Sequence, residues 1–125
     1  MNDLQKDPLT DKIIGCAIEV HKCLGPGLLE SMYESALCMV FELSALSFQR
    51  QVLLPLKYRD RLIGDSRLDL IVGKAVVFEL KSVDRMDAVF EAQLLSYLKL
   101  SSIKTGLLIN FNSRLLRDGI KRFVL

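Results

Sequence analysis

Apolar residues recur at intervals of three and four through the first third of the chain, then shift to alternating or unbroken runs, so helices should precede strands. Ile13, Ala17, Val20 and Leu24 form one stripe of a helix expected from about Thr10 to Leu24, with Thr10 or Asp7 as its cap and Gly25-Pro26-Gly27 as its stop. A second helix is expected from Leu28 or Glu30 to about Ser44, with Ala36, Leu37, Val40, Phe41 and Leu43 facing inward. Beyond it, Phe48 to Tyr58 reads as a strand, and Pro55 in its middle predicts an edge position or a bulge. Arg59-Asp60-Arg61 reads as a turn. A second strand runs from about Leu62 to Val72, with a bend expected at Gly64-Asp65-Ser66, and a third covers Ala75 to Lys81. This third strand is apolar on both faces until Glu79, which predicts a central strand covered on both sides.

A polar link from Ser82 to Asp87 leads to a third helix ending near Leu100, with Asp87 or Asp84 as cap and Val89, Leu94, Leu95 and Leu98 as packing residues. Thr105 to Phe111 is a further buried strand, and a loop from Asn112 to Asp118 leads to a short last strand over 119–125. The order helix, helix, three strands, helix, strand, strand predicts an α/β (α+β) fold, with helices flanking a mixed sheet that contains a three-stranded antiparallel meander. One domain over residues 1–125 is expected, with 1–8 as an amino-terminal tail.

Composition narrows this picture without changing it. Half the residues are apolar and 26% are charged, an ordinary globular mixture. No apolar run approaches the ~20 residues of a membrane helix, and the polar, acidic start is unlike a signal peptide, so a cytoplasmic protein is expected. Cys16, Cys23 and Cys38 give no disulfide framework, and with His21 they lack zinc-ligand spacing; buried cysteines and a surface histidine are expected. A net charge of +2 is too weak to argue for nucleic acid, so a basic groove would have to be local.

The chemistry concentrates at the end of the third strand. Glu79 and Lys81 lie two residues apart on one strand face, roughly 6.6 Å along it. Asp69 ends a preceding apolar run, and the Gly73-Lys74 link makes the two runs a hairpin that brings Asp69 toward Glu79. Two converging carboxylates repel, and a hard divalent cation relieves the repulsion. A solvated Glu-Lys pair at a strand end would satisfy the same tripeptide. Gln93 and Tyr97 share a face of the third helix, Glu30 sits in the first turn of the second, and Tyr33, one turn on, could meet Glu30 on one surface.

Gly27-x-x-Glu30-x-x-Tyr33, preceded by the Glu19 to Pro26 stretch, together with Asp69, Glu79-Leu80-Lys81, Gln93-x-x-x-Tyr97, Asn110-Phe111-Asn112 and Asp118 to Lys121, stands in an order that resembles the small GxxExxY proteins of the PD-(D/E)xK nuclease superfamily. The likeness extends from about Ile13 to Val124. It implies a restriction-endonuclease-like core and a nuclease hydrolysing phosphodiester bonds, with DNA the expected nucleic acid and Mg²⁺ or Mn²⁺ the cofactor. Under it, Asp69, Glu79, Lys81, Glu30, Gln93 and Tyr97 are the catalytic set. Asp69 and Glu79 hold the metal, with a weaker share for Glu30 and for the Leu80 backbone carbonyl. The superfamily's proline before the aspartate is Leu68 here, and Asp65 is a rival for the aspartate. The alternative function is a nuclease-fold module that binds nucleic acid or protein without turnover. A homodimer would supply a longer groove.

Overall fold

The computed structural model describes residues 7–125. Helices α1 (Pro8–Leu24) and α2 (Glu30–Leu43) precede strands β1 (Phe48–Tyr58), β2 (Arg61–Val72) and β3 (Val76–Lys81); α3 (Ala88–Ser101) leads to β4 (Thr105–Asn110) and, after a 3-10 turn at Leu116–Gly119, to β5 (Ile120–Val124). The strands form one sheet in chain order. β1, β2 and β3 make the antiparallel meander, β3 and β4 pair in parallel, and β5 returns antiparallel to β4. The parallel step needs a crossover, which α3 supplies.

β3 is central and buried throughout until Lys81, as its two-sided apolar run requires. Its even residues Val76, Phe78 and Leu80 join Ile13, Tyr33, Phe41 and Phe111 in a core under α1 and α2. On the other face Val77 packs with Leu68, Leu94, Leu98 and Leu108 under α3. β1 lies at the sheet edge, where Pro55 withholds an N–H from any further strand.

Several expectations need correcting. The first six residues of the expected tail lie outside the described residues, whereas Asp7 and Pro8 start α1: Asp7 accepts from the Leu9 N–H at 3.2 Å and from the Thr10 hydroxyl at 2.6 Å. Leu24, Leu43 and Val89 are 41%, 84% and 53% exposed rather than inward, each lying in the first or last turn of its helix. Asp87 occupies the cap position of α3 without a side-chain cap bond. β2 is continuous through Gly64; the irregularity there is a register shift opposite Leu56 and Lys57. His21 is buried, with Nε2 2.7 Å from the Ser113 carbonyl, because the loop after β4 folds back over the end of α1. Cys23 is exposed, while Cys16 and Cys38 are buried.

The irregularity that matters most lies midway along β1 and β2. Gln51 has φ 51°, and it stands opposite Asp69 between the paired residues Arg50↔Leu70 and Val52↔Leu68. Side chains should alternate faces along each strand. Here Leu70 and Val72 face α1 and α2, but Leu68 packs under α3. The alternation therefore slips in both strands at the Gln51/Asp69 pair.

Candidate functional site

β2 and β3 pair through only three positions, Val72↔Val76, Ile71↔Val77 and Leu70↔Phe78. The next opposed pair is Asp69 and Glu79, and there side chains replace the backbone ladder. The Asp69 N–H donates to Glu79 Oε2 at 2.6 Å, and the Leu80 N–H donates to Asp69 Oδ2 at 3.0 Å. Each acid thus spends one oxygen on the opposite strand. Asp69 Oδ1 and Glu79 Oε1 have no hydrogen-bond partner among the described residues. The Leu80 N–H points toward β2 while the Lys81 carbonyl accepts from the Phe111 N–H at 2.8 Å on the other side. Along a strand a residue's N–H and C=O point the same way and its neighbour's the opposite way, so the Leu80 carbonyl also points toward the Asp69 slot.

Burial first, and then the charge of Asp69, push Glu79 up to about 8; Lys81 and the Asp69 N–H oppose this, and Glu30 adds to it. Asp69 is raised as well, chiefly by burial, with Glu34 and Glu30 adding to it and the Leu80 N–H and Lys81 opposing. The Lys81 ammonium sits 4.6 Å from the centre of the Phe90 ring and forms no ion pair among the described residues.

Glu30 reaches the site from the opposite face of the sheet. Its Oε2 accepts from the Ser82 N–H at 3.3 Å, and the Ser82 hydroxyl donates to the Leu28 carbonyl at 2.6 Å, stitching the start of α2 to the end of β3. Tyr33 does not share this surface. It is fully buried and stacked on Phe111, donating to the Gly25 carbonyl at 2.5 Å and accepting from the Leu28 N–H at 3.1 Å. Its work is to hold the Gly25–Leu28 loop, where Gly25 adopts φ 69°, and so to set where α2 begins.

Gln93 and Tyr97 line a cleft of about 490 Å³ between α3 and the outer part of β1 and β2, with Leu56, Ser66, Ala92, Ser96, Lys99 and Leu100. Burial raises the Tyr97 phenol, and Glu79 and Asp69 raise it further, which places it within reach of both acids' charge. Asp65, the rival aspartate, is exposed and pairs with Pro55, away from Glu79.

Glu34 escaped the sequence reading. It is buried, and both its oxygens are taken: Arg50 Nε at 3.1 Å and Gln51 Nε2 at 2.9 Å. It therefore anchors the left-handed Gln51 opposite Asp69. An acid between the inward Tyr33 and Leu37, one turn from Glu30, was the available signal.

Among the described residues no group of three or more His, Cys, Asp or Glu side chains is arranged to hold a metal ion. A buried carboxylate and a half-buried one, each with one unpartnered oxygen, beside a backbone carbonyl nonetheless suit a hard ion that keeps several waters. Burial is the main cause that raises both pKa values, with neighbouring carboxylates adding to it, and a bound cation would offset both effects.

A five-stranded mixed sheet flanked by three helices is the arrangement of a restriction-endonuclease-like fold. The chain matches the family model of the PD-(D/E)XK nuclease superfamily over residues 7–123, and it belongs to that superfamily. Nucleases of this superfamily generally depend on a divalent metal and act on nucleic acid. No curated protein and no solved structure matches the chain. No helix among the described residues is long and apolar enough to cross a membrane.

Proposed function

We propose that the protein is a Mg²⁺- or Mn²⁺-dependent nuclease of the GxxExxY type that hydrolyses phosphodiester bonds in DNA. The observation that carries this reading is the reciprocal grip of Asp69 and Glu79 on each other's strand, which leaves one free oxygen on each beside Lys81. Asp69 and Glu79 would hold the cation, with the Leu80 carbonyl, and Glu30 directly or through water. Bound there, a divalent ion would supply an activated water and offset charge growing on the phosphate. Lys81 lies on the face of Glu79, where its ammonium positions the attacking water and neutralises a non-bridging phosphate oxygen. Gln93 and Tyr97 hold the strand backbone in the adjoining cleft. Water adds to phosphorus and releases a proton to solvent as the bond to the leaving sugar oxygen breaks, and the departing oxygen takes a proton from solvent.

The test is a magnesium-dependent cleavage assay on single- and double-stranded DNA and RNA. Wild type should yield product from DNA, and Glu79→Ala and Lys81→Ala should yield none. Absence of product from every substrate, with wild type equal to Glu79→Ala, would overturn the proposal and leave a binding module without turnover.

A further inference from the structure

Beyond Asp69, β2 has no partner on its inner side, so residues 53–58 of β1 and 61–67 of β2 pair only with each other. They form a two-stranded ribbon roughly 20 Å long at a rise of about 3.3 Å per residue. It leaves the sheet at the end where β3 delivers Glu79 and Lys81. Lys57, Arg59, Arg61 and Arg67 stand on it against Asp60 and Asp65, so this segment alone carries a net +2, equal to the excess of the whole chain. All four cations are exposed, and none forms an ion pair among the described residues. Arg59 lies 5.5 Å over the exposed ring of Tyr58.

The cations occupy both faces. Leu56 and Ser66 line the cleft with α3, so the pairs Leu54↔Ser66, Leu56↔Gly64 and Tyr58↔Arg61 face it. Alternation sends Leu53, Lys57 and Arg67 to the opposite face. A ribbon that lay flat on a backbone would need charge on one side only. One inserted into a groove meets phosphate walls on both.

We propose that this ribbon enters the major groove of duplex DNA, with Arg61 and Arg59 toward one backbone and Lys57 and Arg67 toward the other, while the strand next to α3 runs into the cleft and toward the acid pair. The assignment rests on the nuclease reading for its direction, though not for the binding itself. The major groove of B-DNA admits a two-stranded ribbon, and the exposed Ile63, at the register shift near the ribbon's tip, suits a thymine methyl group there. The deep, narrow major groove of A-form RNA does not admit it. DNA duplex is therefore the occupant, ahead of RNA duplex or a single strand.

Fluorescence polarisation in EDTA with a labelled DNA duplex, an RNA duplex and a single strand separates binding from cleavage. Arg59→Gln/Arg61→Gln and Lys57→Gln/Arg67→Gln should each flatten the dependence of log K on log salt by about 0.9 for every phosphate no longer neutralised. Lys12→Gln/Lys104→Gln, with both positions away from the ribbon, should leave it unchanged. Wild type should bind RNA duplex and single strand more weakly than DNA duplex. Unchanged slopes in both ribbon variants, an effect from one face alone, or equal binding of the RNA duplex would overturn the proposal. So would the absence of shifts in the 57–63 backbone amide resonances of wild type on adding duplex. If the ribbon variants lose slope while wild type makes no product with Mg²⁺, the nuclease reading fails and the groove binding stands.

Discussion

Glu79 carries the tension of the site, because its carboxyl is buried against another acid and a proton or a cation must settle the charge. Its pKa, raised from 4.5 to about 8, means that the folded protein holds a proton that the unfolded chain has already released. Without metal, stability should therefore be full below about pH 4.5 and fall as pH rises toward 8, by at most about 1.4 kcal/mol per pH unit for this group. Thermal melts in EDTA at pH 5.5 and 8 should show the loss, and Glu79→Gln should shrink it. Tyr33→Phe, by contrast, removes one hydroxyl that serves the Gly25 carbonyl and the Leu28 N–H. It should cost about 1–3 kcal/mol in urea unfolding, with cleavage falling because Glu30 is less well placed. At this scale Asp69 and Glu79 were legible because a tight hairpin dictates its own register. Tyr33, Glu34 and His21 were not: helical phase says which residues share a side, but not which loop will return to meet them.

The elements themselves followed from periodicity, and their ends departed where apolar residues in terminal turns stayed in solvent. The slip at Gln51 and Asp69 left no trace in the pattern, since a left-handed Gln has no composition signature and both strands shift together, preserving their mutual register. What holds the slip is Glu34, from a helix on the other layer. The loop after β4 is similarly tight. A Cβ on Gly119 would meet the Asn110 carbonyl at 2.6 Å and also strike the Ser113 hydroxyl. Gly119→Ala should destabilise the protein by about 1–3 kcal/mol in thermal or urea melts, because backbone on one side cannot yield. The Asn110 side chain pairs with both backbone groups of Val83, at 3.1 and 3.0 Å, so the same strain should loosen the segment that carries Ser82.

For the whole molecule, α2 and α3 approach the acid pair from opposite layers, and the open seam between β2 and β3 lets both reach it. Cation binding should thus tighten the entire domain rather than a loop. Mn²⁺ at a hundred times its dissociation constant should add about 2.7 kcal/mol to unfolding, and EDTA should remove it; Asp69→Asn should respond little to either. The seam also makes the fold its own indicator. The Asp69 and Leu80 amides hang on the very carboxylates that would take the ion, so a proton or a metal arriving there redraws the acceptors of two backbone donors in neighbouring strands. Those two amide resonances should move together in a ¹⁵N–¹H spectrum as the site fills, reporting occupancy without substrate or turnover.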